Sequence, residues 1–455
     1  MSETDTKSTS TQDRPIGRER IACLKRIVSQ RLLEQEIGKR KLDKRACPKC
    51  PSRVIVWFII AMWLYGDDSY CQVFRWLHRF SSRFTPSSSA LTQARAKVGV
   101  PILAYTYRCV VECLCSEKIP DSFYAGRRLV AVDRFVLNLP DSEANRRAFG
   151  RPTNGTSVGA FPQVRIVALC EVGSHVFFNF LAKPIRCGEA TMAQHVYKGL
   201  PEKSLLLFDI GFCSSKLMKQ VIDQNSDFLG RAKANRCFEK MEVLSDGSYL
   251  SKIYESDYDR LHDRNGTVVR VIEYTIDDPE RVGNGEVHRL VTTLLDAQEH
   301  PAEVLIMLYH ERWEEELAID EGKTHLRNHQ TLRSHHPAGV IQELNGLLIA
   351  HFIIRKLIVE AAIKAGVSPR RISFTGTLNV LRARLPEAPR SRHLIAGWYN
   401  LLVEEISLEV LEPRRNRINP RVIKRPQSKW PKKQEEHRNL PPLKLNFKET
   451  ICVLT

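Results

Sequence analysis

Three carboxylates are placed where phosphodiester chemistry could use them. Asp133 follows the short apolar run Leu129-Val130-Ala131-Val132 and is predicted to end that strand. Asp209 follows Ser204-Leu205-Leu206-Leu207-Phe208, a continuous apolar run of the kind buried on both faces of a sheet. Glu316 falls on a long helix predicted to start near Pro301. Strand ends and a facing helix can gather such groups at one edge of a sheet. Carboxylates gathered there can hold two divalent metals about 3.5–4 Å apart, which activate an attacking oxygen and stabilise the leaving one. Mg²⁺ suits such a site because it prefers carboxylate and water oxygens. Each acid alone is weak evidence, since an Asp at a strand end is more often a turn or cap residue and a helical Glu is usually solvated.

The helix adds phosphate-binding groups. Tyr309, Arg312, Glu316 and Lys323, at about 100° per residue, fall within an arc of roughly 60° on an ideal helix. Arg grips phosphate oxygens bidentately and Lys supplies a point charge. Gly322 interrupts the helix just before Lys323, which loosens that last placement, and Glu314, Glu315 and Asp320 also fit an ordinary salt-bridged helix.

Several elements must position these groups. Residues 1–15 read as disordered, and residues 16–120 as a helical domain. That domain contains an apolar helix at Val54–Tyr65, a helix from Ser69 to about Phe80 with Val73, Phe74 and Leu77 inward, and a helix N-capped by Ser89 that carries Gln93, Arg95 and Lys97 and ends near Gly99. Its Arg and Lys could dock on DNA or form a solvated face. From Arg127 the texture turns to strands: beyond those ending at Asp133 and Asp209, Val164–Glu171, Val176–Leu181 and Phe228–Lys233. Residues 235–296 alternate as strands and read as a β-rich stretch. Helices return at Gly339–Ala365, Ser373–Leu385 and Leu394–Leu408. Residues 411–440 hold ten Arg or Lys against three Glu and are broken by four prolines, a basic arm suited to following phosphates.

Composition agrees with a polyanionic partner. The 455 residues carry 69 Lys and Arg against 52 Asp and Glu, a formal net charge of +17. The 12 cysteines lack regular disulfide spacing and read as reduced thiols of a cytoplasmic protein. The polar start of the chain has no signal-like apolar core, and no apolar run is long enough to span a bilayer.

The Tyr309–Arg312–Glu316–Lys323 spacing resembles the Tyr-Arg-Glu-Lys signature of bacterial insertion-sequence transposases of the "IS four" family. Further segments are similar to that family: Ser89 to Arg95, Ala131-Val132-Asp133, Leu139-Pro140-Asp141, Asn145 to Gly150, Phe208 to Phe212, Phe228 to Lys233 and Asp246 to Tyr249. The resemblance implies an α/β fold: a ribonuclease H-like catalytic core at 121–330, with a β-rich insertion at about 235–296, between helical N- and C-terminal regions (16–120 and 331–410) and a basic tail at 411–455. It implies that Asp133, Asp209 and Glu316 hold two Mg²⁺ ions, with Mn²⁺ able to substitute, and that Tyr309, Arg312 and Lys323 contact DNA phosphates. It implies double-stranded DNA as partner (terminal inverted repeats and target DNA), a homodimer or larger synaptic complex, and a cytoplasmic, nucleoid-associated location.

Departures from the family pattern leave alternatives open. Arg134 and Ile210 follow the two aspartates where the family often has Gly and Arg. They would fit an impaired, transposase-derived DNA-binding protein, and a related metal-dependent nuclease would need the same acids. The β-rich stretch lacks the Trp some relatives use to stack an extruded base; Tyr254, Tyr258 and Tyr274 are the candidates in its place. Cys47 and Cys50 have zinc-knuckle spacing without a second pair. His325, His329, His335 and His336 cluster after Lys323, where a surface or DNA-facing role is expected over metal binding.

Overall fold

A computed structural model describes residues 23–24, 26–42, 50–77, 85–154, 157–233, 236–275, 286–326, 331–389 and 391–412. The expected N-terminal disorder, almost all of the basic tail, Cys47 and His329 lie outside the described residues. Among the described residues no helix is long and apolar enough to cross a membrane.

The chain begins with five helices: α1 (Gln30–Lys39), α2 (Ser52–Leu64), α3 (Tyr70–Leu77), α4 (Ser88–Val98) and α5 (Pro101–Val110). Helix α2 is apolar all round and buried along nearly its whole length, as such a helix must be in water. Val73, Phe74 and Leu77 are the buried face of α3. The cap of α4 is Ser87, whose hydroxyl accepts from the Ala90 amide, and not Ser89 as expected. Three consecutive serines all satisfy the cap preference, so composition alone does not choose among them. Gly99 ends α4 at φ +72°, a conformation that favours glycine.

The sheet follows. Its strands are β1 (Phe123–Tyr124), β2 (Arg127–Asn138), β5 (Gln163–Glu171), β6 (Val176–Pro184), β7 (Ser204–Phe208), β8 (Asp227–Arg231), β9 (Glu242–Val243), β10 (Tyr249–Ile253), β11 (Thr267–Tyr274) and β12 (His288–Thr292); a separate small hairpin is β3 (Thr153–Asn154) and β4 (Ser157–Val158). Short helices α6 (Glu143–Phe149), α7 (Glu189–Val196), α8 (Ser215–Ile222) and α9 (Asp257–Leu261) connect them. The ten-stranded order is β6-β5-β2-β7-β8-β12-β11-β10-β9, with β1 beside β2. The centre, β2-β7-β8, is parallel, and both flanks are antiparallel. The strands between residues 235 and 296 therefore extend the same sheet through the β8–β12 pairing.

Alternation along β2 sorts the two faces. Val130 and Val132 pack with Met192, Ala193 and Met218 of α7 and α8. Leu129 and Ala131 pack with Leu305 and Tyr309 of α10 (Ala302–His310). Asp133 continues the second face. It does not end a strand, as expected from the polar break in the sequence, because β5 goes on pairing with β2 as far as Asn138. What ends at Asp133 is the parallel ladder to β7, whose last pair is Val132 with Phe208.

The helix after Pro301 is also not continuous. Helix α10 stops at His310 and α11 (Trp313–Asp320) begins three residues later. Between them, Glu311, Arg312, Glu314 and Glu315 donate to carbonyls only three residues back, which overwinds the chain. After Asp320 a π-turn, Glu321–His325, underwinds it. The single 60° face derived for an ideal helix therefore does not exist. The rest of the chain is helical: α12 (Pro337–Ala365), α13 (Phe374–Arg384, capped by Ser373) and α14 (Ile395–Ile406). Helix α12 is buried on most sides because it packs against α2, α5, α13, α14 and β6.

Candidate active site

Register places the two aspartates side by side. Val132 and Phe208 are paired, so Asp133 and Asp209 are the next residues on adjacent parallel strands, and each follows a fully buried stretch. Asp209 caps a short 3₁₀ turn, its Oδ1 accepting from the Gly211 amide at 2.9 Å. Asp133 Oδ1 accepts from the Arg134 amide at 2.7 Å. Both carboxylates are thus oriented by backbone donors while keeping further lone pairs for a ligand.

Helices α10 and α11 cover this edge. Arg312, in the tight turn between them, lies 3.7 Å from Asp133 Oδ2 through Nη1, and its Nη2 donates to Glu316 Oε1 at 3.2 Å. The guanidinium stands between two of the three acids as a cation. Burial pushes the Asp133 carboxyl up to about 6, and Asp209 and Glu316 push it further, against the lowering effect of the Arg134 amide and Arg312. The rise is mainly the cost of burying the charged carboxylate, with a smaller part from the neighbouring acids. Tyr309 is largely buried against the sheet, and burial pushes its phenol up to about 12; Arg312 adjoins it and Asp209 is close enough to act on it. Lys323, in the π-turn, sets its ammonium 5.5 Å from the centre of the Phe135 ring, two residues beyond Asp133 on the same face. The structure thus gathers Asp133, Asp209, Tyr309, Arg312 and Glu316 at one edge, with Lys323 at its border.

Among the described residues no group of three or more His, Cys, Asp or Glu side chains has the spacing to enclose a metal ion. The donor set is nonetheless that of a hard divalent cation, oxygen only and open on one side. The place between Asp133 and Glu316 already attracts a guanidinium. On donor chemistry and charge, these residues fit Mg²⁺-like ions.

Glu315, read in the sequence as part of a salt-bridged helix, and Arg134 take other places in the structure, and Arg231 had escaped notice. Glu315 is fully buried, and neither of its carboxyl oxygens makes a hydrogen bond of good geometry. Burial holds its carboxyl well above the ordinary range; the Asp133 charge adds to the rise, while Arg312 and the Asp133 amide oppose it. Its place beside Glu316 was the only signal for it. Arg231, at the end of β8, donates to the His288 ring at 2.9 Å and acts on Tyr309. Arg134, which the sequence set against the site, lies on the opposite face of β2 from Asp133. Its Nη1 meets Glu189 Oε1 at 2.5 Å at the start of α7. Arg95, a candidate DNA contact, is buried and pairs with Glu343 at 3.0 Å. His325 lies against Phe374, the His335 carbonyl accepts from Ser142, and His336 precedes α12 as its N-cap.

Comparison with known proteins meets this geometry. The family described as "Transposase DDE domain" matches residues 124–353, half of the chain and the whole edge just described. "Insertion element 4 transposase N-terminal" matches residues 18–107, the first helices. The chain is 27% identical over 406 residues to "Transposase InsG for insertion sequence element IS4" of Escherichia coli (strain K12), covering 87% of this chain and 89% of that protein. It is 31% identical over 131 residues to "Putative transposase InsZ" of the same organism, covering 29% of this chain and 44% of that protein. A solved structure described as a piggyBac transposase synaptic complex with hairpin DNA aligns over 90% of each chain at 11% identity. Its TM-score of 0.43 is too low to bear weight. The chain belongs to the DDE transposases of the insertion element 4 type, enzymes that cleave DNA and transfer its strands.

Proposed function

We propose that Asp133, Asp209 and Glu316 are the residues that carry DNA cleavage and strand transfer in this transposase, and that they hold two Mg²⁺ ions. Transposases of this family use divalent metal ions in general. The observation that supports the reading is that Asp133 and Asp209 directly follow Val132 and Phe208, the last pair of the parallel ladder, with Arg312 drawn in between Asp133 and Glu316. The parallel β2-β7-β8 centre with helices on both faces fits a ribonuclease H-like core.

When bound, the metal ions supply an activated oxygen nucleophile and neutralise charge on the leaving oxygen. The chain does the rest. Asp133 and Asp209 keep fixed directions through the Arg134 and Gly211 amides. Arg312 neutralises Asp133 and Glu316 in the structure; were metal ions to take over that role, its planar fork would suit a phosphate of the DNA end. Lys323 adds a point charge, and the Tyr309 hydroxyl, held protonated by burial, is a hydrogen-bond donor to the same backbone. Water attack frees a 3′-hydroxyl at the element end, and that hydroxyl attacks target DNA. Terminal inverted repeats are the DNA recognised, in a dimeric or larger synaptic assembly. Titration with Mn²⁺, followed by its electron paramagnetic signal, tests the site: the wild type is expected to bind two ions, and Asp133→Asn to lose tight binding. Unchanged binding in Asp133→Asn, Asp209→Asn and Glu316→Gln alike would refute the assignment.

A further inference from the structure

A second charged cluster lies behind the acids and outside their chemistry. His175, in the turn between β5 and β6, is 2% exposed and has φ +61°. Its Nε2 lies 2.9 Å from Glu314 Oε2, and its Nδ1 lies 2.6 Å from Arg355 Nη2. Arg355 also donates through Nε to Glu321 Oε2 at 2.8 Å and through Nη2 to Glu321 Oε1. His351 Nε2 reaches the same Glu321 Oε2 at 3.0 Å. All five side chains are buried. His175 Nδ1 also lies 3.0 Å from Glu321 Oε1. Neutral His175 accepts from Arg355 at Nδ1 and donates to Glu314 at Nε2, and neutral His351 donates to Glu321; Glu321 Oε1 is then held by Arg355 and not by the imidazole.

The position of the two glutamates gives the cluster its meaning. Glu314 is on α11, two residues before Glu316. Glu321 opens the π-turn, two residues before Lys323. The partners belong to neighbouring elements: His175 to the hairpin turn of the sheet, His351 and Arg355 to α12, and Arg370, 3.6 Å from Glu314 Oε1, to the short turn after α12. The catalytic helix is irregular at both ends, overwound before Trp313 and underwound after Asp320. Such a helix has no intrinsic reason to present Glu316 and Lys323 in one direction, so its rotation must be fixed from outside. Apolar contacts are non-directional, whereas a shared Arg–carboxylate fork is not.

We propose that the His175–Glu314–Glu321–Arg355–His351 network is a positioning device, which sets the rotation of α11 and the π-turn so that Glu316 and Lys323 face the aspartates. This rests on the reading of Glu316 and Lys323 given above. A buried ion pair is often replaceable by apolar residues without loss of stability, so stability and positioning can be separated. The full chain is compared as wild type, Glu314→Ala, Glu314→Gln and the double variant Arg355→Met with Glu321→Leu. Each is measured for melting temperature, Mn²⁺ affinity, and kcat and KM on a terminal-repeat duplex. Misplacement by about 1 Å costs on the order of 100-fold in rate. Accordingly, folded Glu314→Ala is expected to lose at least about ten-fold in kcat and in Mn²⁺ affinity, with KM for DNA nearly unchanged. Glu314→Gln, which still accepts from His175, is expected to recover most of this loss. The double variant is expected to melt near the wild type and still cut slowly. Wild-type kcat in folded Glu314→Ala overturns the proposal; if the double variant does not fold, the two Glu314 variants decide. Glu316→Gln runs in parallel, because cutting by that variant sinks the site assignment whatever the Glu314 variants do.

Discussion

Replacing Glu315 by Met is expected to stabilise the protein and leave cleavage intact. The side chain is 0% exposed, neither oxygen makes a hydrogen bond of good geometry, and burial and Asp133 outweigh the relief given by Arg312 and the Asp133 amide. An unsatisfied buried polar group costs roughly 1–3 kcal/mol, and Met fills a similar volume without it. The expected gain is therefore about 1–3 kcal/mol at neutral pH, or several degrees at most in apparent melting temperature. Glu315→Gln keeps buried polar atoms and should gain less. The folded Glu315 carboxyl titrates above its ordinary 4.5. The folded state then binds the proton more tightly than the unfolded state. The wild type accordingly loses stability relative to Glu315→Met as pH rises above that value. The assay is thermal and urea unfolding without metal from pH 4 to 8, beside cleavage of a terminal-repeat duplex. A destabilised Glu315→Met that no longer cuts, with Glu316→Gln still cutting, would show that the buried carboxylate serves the reaction and that the third acid is misassigned.

Further outcomes follow from the same geometry. His175 and His351 both titrate near 3 in the folded chain, lowered by burial and, for His175, also by Arg355. The unfolded chain therefore binds more protons below about 6.5, and stability should fall with acidification by about 1.4 kcal/mol per pH unit for each histidine; a urea midpoint that is flat from pH 6.5 to 4.5 would contradict this. Arg95→Ala leaves Glu343 buried without its ion pair and should cost about 3–5 kcal/mol of stability, seen as a lower melting temperature; normal melting with weaker DNA binding would return Arg95 to the DNA-facing side. Arg134→Gly breaks a half-exposed pair with Glu189, so its effect should stay below about 1 kcal/mol with cleavage kept, whereas Arg312→Ala should cut on the order of 100-fold more slowly. Comparable kcat losses in the two variants would mean that Arg134 reaches the acids after all.

The strands bearing the acids were legible because burial on both faces leaves a signature in composition. Leu205–Phe208 is apolar throughout and ends at a polar Asp209, and the strand in the structure has the expected bounds, Ser204–Phe208. Asp133 was found for the same reason. Its place inside a longer strand was hidden, because the continuation depends on pairing with β5, a contact remote in sequence. The helix of Tyr309, Arg312, Glu316 and Lys323 shows the reverse. Residue types were readable, and Gly322 marked the break that the structure forms as a π-turn, but an ideal-helix projection cannot foresee a tight turn at Glu311–Arg312 without Pro or Gly to mark it. Arg95 was misread because a basic residue on a helix is solvated far more often than buried; its partner Glu343 is on α12. The buried network was invisible for the same reason, its members being scattered from His175 to Arg355.

Asp133, Asp209 and Glu316 are proposed to carry the chemistry. The most direct test is cleavage of DNA bearing the terminal repeats, in Mg²⁺ and in Mn²⁺, by the wild type and by Asp133→Asn, Asp209→Asn and Glu316→Gln, with DNA binding measured on the same preparations. Nicked and strand-transferred products are expected with the wild type, and none with any of the three variants although each still binds DNA. Product formation at the wild-type rate by any one of them would contradict it.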